Sequence, residues 1–73
     1  MITKRQKEEL QEQFNHYSYL AELKKSVGNC LEYERNIAKM GALRSVFFTL
    51  GYTIKCQRQY EKCGIKYLYY EFG

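Results

Sequence analysis

The apolar residues of this chain change period once, at Gly51, and that single switch does most to limit its fold. Before Gly51 they recur at helical spacing; after it they alternate. No proline interrupts either regime in 73 residues. Helices followed by strands, with no return to the helical period, predict an α+β fold. The expected architecture is an N-terminal antiparallel helical hairpin followed by a C-terminal two-stranded β-hairpin. It forms a single small domain over residues 1–73, with helices over about 3–26 and 29–50 and a β-hairpin over about 52–72.

Thr3 and Gln6 read as a capping box at the start of the first helix, a hydroxyl for one free N–H and an amide reaching back for another. Leu10, Phe14, Tyr17 and Ala21 then fall on one face, with His16, Leu20, Leu23 and Val27 beside them, which places His16 in a helix–helix seam. Lys24 and Lys25 suit the C-terminal dipole, and Gly28 suits a left-handed stop. Asn29 and Glu32 repeat the capping signature for the second helix. From Leu43 to Leu50 that helix is apolar nearly all round, as a central core helix would be. Gly41 costs about 1 kcal/mol against alanine in a helix interior. It is expected either to admit a close approach of the first helix or to break the second.

In the last third, Glu61-Lys62-Cys63-Gly64 suits a type I turn with a bulge at the glycine. If Tyr60 faces Ile65, one face holds Ile54, Cys56, Tyr60, Ile65, Tyr67 and Tyr69 and is expected to pack on the helices. The other holds Thr53, Lys55, Gln57, Gln59, Lys66, Leu68, Tyr70 and Phe72 and is expected to face outward. A lone hairpin is marginal in water. The strand Ile65–Phe72 is therefore expected to pair with another chain, as a homodimer or on a larger protein.

Catalytic and metal chemistry find little support. Cys30, Cys56, Cys63 and His16 have the count for structural zinc but no Cys-x-x-Cys knuckle. The charged cluster Lys4, Arg5, Lys7, Glu8, Glu9 and Glu12 has helix-neighbour spacing and reads as a solvated face. No glycine loop that could cradle phosphate is present in the sequence, and no cofactor is expected. No apolar run is long enough for a bilayer span, and no apolar stretch follows the basic start, so neither membrane nor secretion is expected. An odd number of cysteines outside any framework spacing fits a reducing cytoplasm.

Two functional classes follow. The first is a non-catalytic protein that docks on a larger partner and modulates it through Lys55, Lys66, Leu68, Tyr70 and Phe72. Its Lys/Glu/Tyr-rich composition resembles that of short phage and mobile-element proteins, which makes inhibition of a host defence nuclease an expected job. The alternative is a small basic nucleic-acid-binding regulator, consistent with the net charge of +4. Its contacts would be Lys4, Arg5, Lys7, Lys55, Lys66 and Tyr70. A winged helix reading the major groove is disfavoured. Its recognition helix, Ala42 to Leu50, would offer only Arg44, Ser45 and Thr49 to base edges.

Overall fold

The computed structural model describes residues 2–73. Helix α1 spans Lys4–Ser26, helix α2 spans Cys30–Thr49, strand β1 spans Ile54–Lys62 and strand β2 spans Ile65–Phe72. The α+β architecture is the one the period switch predicts. Both bonds of the Thr3–Gln6 capping box are formed. Gly28, at φ 77°, ends α1 in the left-handed region. The Asn29 side chain accepts from the Glu32 amide and starts α2.

Three expectations for the helices are corrected. Helix α2 runs unbroken through Gly41, and a Cβ there would meet nothing within 4 Å, so this glycine neither breaks the helix nor admits a neighbour. His16 is exposed, outside the helix–helix seam. The C-terminal half of α2 is no central core helix: Phe47 alone is buried there, while Val46, Phe48 and Leu50 are exposed. One helix and one hairpin cannot enclose every apolar face of α2. The Arg44 guanidinium partly shields Phe48, 5.1 Å above its ring.

The core is small and aromatic. Phe14, Phe47 and Phe72 form its centre, with Leu10, Met40, Leu43, Ile54 and Tyr70 packed around it. Phe47 and Phe72 stack at 3.9 Å, and Phe14 meets the edges of Phe72 and Tyr70 at 5.1 and 5.2 Å. Phe72, expected on the outward face, is therefore 0 % exposed.

Strands β1 and β2 pair antiparallel with Lys62 opposite Ile65, Tyr60 opposite Tyr67 and Gln57 opposite Tyr70. The connection is a two-residue turn in which both Cys63 (φ 52°) and Gly64 (φ 78°) are left-handed, the type I′ form favoured by strand twist. It replaces the expected type I turn and moves Tyr60 from Ile65 to Tyr67. A bulge between Ile54 and Cys56 then brings Ile54 onto the Phe72 side. Burial of the two faces is the reverse of that expected. The Tyr70 and Phe72 side packs on the core, and the Cys56, Tyr60, Tyr67 and Tyr69 side faces away.

Helix α1 closes one edge of the sheet with side chains. The Asn15 amide donates to the Tyr70 carbonyl at 2.8 Å and accepts from the Tyr70 N–H at 2.7 Å. Ser18 donates to the Leu68 carbonyl, and the Gln11 side chain accepts from the Phe72 N–H. Positions i, i+4 and i+7 of a helix lie on one face and rise about 10.5 Å. The matching strand positions span about 13 Å, so side-chain reach closes the difference. Asn15 and Ser18 are buried, yet no buried side-chain polar atom among the described residues lacks a partner. The strand expected to recruit another chain through its edge thus finds its neighbour in α1.

Candidate interaction surface

The hairpin leans on α1 along β2 and meets α2 chiefly where Phe72 stacks on Phe47, so a groove opens between α2 and the sheet beyond that contact. One part, about 200 Å³, is lined by Phe14, Ile37, Met40, Gly41, Arg44, Ile54 and Tyr70. A second, about 220 Å³, continues along Ser18, Ala21, Glu22, Tyr33, Ile37, Met40, Leu68 and Tyr70. Each is below the roughly 300–1,000 Å³ usual for small-molecule sites. They are large enough for one or two apolar side chains of a protein. Ile37 is 43 % and Leu68 42 % exposed, and both line the second part. Gly41, which has no packing neighbour to explain it, lies on the wall of the first part, where a larger side chain would intrude.

The predicted partner-binding residues divide along this groove. Lys66, Leu68 and Tyr70 share a face of β2, with Phe72 buried at its root. Leu68 and Tyr70 line the groove, and Lys66 lies beyond Leu68 toward the turn. Lys55 sits in the bulge at the other end of the hairpin, its aliphatic stem against Gly73. On α2 the groove is walled by Ile37, Met40 and Arg44, of which only Arg44 is singled out by the sequence, as a polar residue. The unexplained Gly41 was the signal that could have located them.

The predicted nucleic-acid contacts converge only in part, since Lys7 and Lys55 both lie near enough to Glu71 to lower its carboxyl. Lys4 and Arg5 are exposed on the first turn of α1, where Arg5 pairs with Glu9 at 3.3 Å. Lys7 lies 5.7 Å from the Tyr52 ring. Lys66 is opposite Glu61 at the far end of the sheet. The six residue steps along the strand from Lys55 to Glu61 span about 20 Å. Tyr70 is half-buried between its neighbours.

On the opposite face a row of tyrosines is packed mainly against itself. Tyr60 stacks on Tyr69 at 4.7 Å, and Tyr67 meets Tyr60 at 6.2 Å and Tyr19 at 5.4 Å. Tyr69 donates to Glu12, and the Lys62 ammonium lies 5.0 Å from the Tyr19 ring. Burial raises the pKa of Tyr19 and of Tyr69 above that of free tyrosine.

At the end of this face the Cys56 thiol donates to Glu71 at 3.0 Å, with Arg58 3.8 Å from the same carboxylate. The thiol bond, and after it the Arg58 charge, hold Glu71 below the ordinary carboxylate value. The same bond, with desolvation, pushes Cys56 up. A lowered acid stabilises the fold above its unfolded value, about 4.3 for Glu, and that contribution is lost as pH falls through the folded value. A raised thiol contributes below its unfolded value, about 8.5, and loses this as pH rises through the folded one. The pair's contribution is thus expected to be full from about pH 5 to 8 and to fall on both sides. Thermal midpoints of wild type and Glu71→Gln, measured across pH, should diverge inside this window and converge at acid pH. A flat difference curve would remove the pair from any stabilising role.

Among the described residues no group of three His, Cys, Asp or Glu side chains could hold a metal. Cys30 and Cys63 are exposed and Cys56 is half-buried, all three unpaired thiols. No helix among the described residues is long and apolar enough to cross a membrane. No protein-family model, no curated protein and no solved structure matches the chain.

Proposed function

We propose that this chain is a non-catalytic docking protein that binds a larger protein and modulates it, with the groove between α2 and the hairpin as its contact. The observation that carries this reading is the pair Ile37 and Leu68, exposed on an apolar groove over Phe14, Met40 and Tyr70. An exposed apolar patch with polar surroundings is the usual mark of a protein contact. Arg44 on the wall of one part and Glu22 on the wall of the other favour a partner segment with apolar side chains flanked by charges of both signs. Lys66 stands apart from the cations near the start of α1 and Lys55, and Glu9 and Glu71 lie among those, so a phosphate backbone would find only a short interrupted patch and direct nucleic-acid binding ranks second.

The test uses the purified chain and its Ile37→Asp and Leu68→Asp variants, each checked for native circular dichroism. Wild type is expected to ignore a random pool of single- and double-stranded oligonucleotides at moderate salt. It should retain a defined protein partner whose affinity drops at least about ten-fold, near 1.4 kcal/mol, in either variant. An oligonucleotide complex that dissolves steeply as salt rises would instead make the chain a nucleic-acid binder.

A further inference from the structure

With β2 closed by α1, the free edge of the sheet belongs to β1. In antiparallel pairing, opposed residues direct their backbone groups either at each other or both away. Leu68 and Tyr70 direct theirs at Ser18 and Asn15. Their opposites, Gln59 and Gln57, therefore point theirs outward, and Glu61 follows by the same alternation. Gln57 to Lys62 are all exposed.

We infer that the β1 edge pairs antiparallel with β1 of a second copy of this chain, about a twofold axis at Gln59, joining two hairpins into one four-stranded sheet. The edge is complementary to itself in this register, with amides opposite amide or carboxylate and a cation opposite a ring. With Gln59 opposite Gln59 of the second copy, Gln57 meets Glu61 and Lys62 meets Cys56. Arg58 meets Tyr60, a cation against a ring face on the tyrosine side. No like charges face each other. Moving the axis by one residue sets Arg58 opposite Arg58 of the second copy, or Arg58 opposite Lys62, both destabilising. The bulge at Lys55 ends regular pairing at one side and the turn at Cys63 ends it at the other. The pairing is closed and isologous, so it stops at two chains. It leaves the groove at Ile37 and Leu68 free, so it stands or falls separately from partner docking.

Light scattering after size-exclusion chromatography over a concentration series tests this with three proteins. Wild type is expected to reach the mass of two chains. Gln59→Pro deletes the N–H at the axis, a group that β2 does not use. Gln59→Lys places two ammonium groups on opposed residues. Both variants should keep native circular dichroism and elute as single chains, and salt should partly restore the dimer of Gln59→Lys. Should Gln59→Pro fail to fold, Gln59→Lys decides alone. A wild type that stays monomeric at hundreds of micromolar overturns the inference, and so does a dimer that survives in either folded variant.

Discussion

Replacing Phe72 with alanine should leave most of the chain unfolded in dilute buffer. The ring is fully buried, stacked on Phe47 and met edge-on by Phe14. A buried Phe→Ala change costs about 3–5 kcal/mol, because the surroundings collapse only in part. A chain of this length has a total stability of roughly 4–11 kcal/mol. Among the described residues the buried apolar set is only Phe14, Ala21, Phe47 and Phe72, which places this chain at the low end. Urea titration followed by circular dichroism measures the effect, and Phe72→Leu, which keeps much of the volume, should still unfold cooperatively. A loss under 1 kcal/mol for Phe72→Ala would mean that the aromatic cluster does not hold hairpin and helices together. Partner binding lost in this variant would report unfolding, so Leu68 and Ile37 are the positions that test contact.

The second large effect is expected at Asn15, a residue with no apolar contribution to make. Its amide serves both backbone groups of Tyr70 and also donates to the Gln11 carbonyl. Asn15→Ala leaves the Tyr70 N–H and carbonyl without partners at a nearly closed site, at about 1–3 kcal/mol for each group. Asn15→Asp separates the two bonds: its carboxylate still accepts from the Tyr70 N–H but faces two carbonyls that it cannot serve. Protonation restores a donor, so the folded carboxyl should have a raised pKa. Its stability should then be greatest in acid and be lost as pH rises through that value. Urea midpoints for the three proteins, with exchange rates of the Tyr70 amide, measure both points. An Asn15→Ala protein as stable as wild type would show that solvent satisfies that edge equally well.

The helix ends were legible because they depend on neighbours in sequence. Thr3 with Gln6, Asn29 with Glu32 and Gly28 each act within one turn, and each performs its expected local role. The strands were legible as strands, but their faces were not. Both sides of β2 carry aromatic residues, so alternation alone cannot say whether Tyr67 and Tyr69 or Tyr70 and Phe72 lie inside. Two local irregularities then shifted the pairing: Cys63 takes a left-handed conformation rare for cysteine, and the bulge at Lys55 moves Ile54 across. The capped edge was hidden for a different reason. Gln11, Asn15 and Ser18 form a stripe of short polar side chains at i, i+4 and i+7 beside Leu10, Phe14, Tyr17 and Ala21. A neutral hydrogen-bonding row next to an apolar one was a signal, but its target lies in the last few residues of the chain. The groove was missed because Gly41 has to be weighed by what is absent around it.

The bonds from α1 to β2 join residues 50, 55 and 61 positions apart. Each requires a long loop to close before it contributes, which slows folding relative to contacts between neighbours. The two helices have local caps and can begin early, whereas the Phe72 contacts and the bonds from Gln11, Asn15 and Ser18 to β2 form late. Until β2 docks, Phe14 and Phe47 lack the ring that covers them. In that interval the chain offers its least protected apolar surface to aggregation and to chaperones.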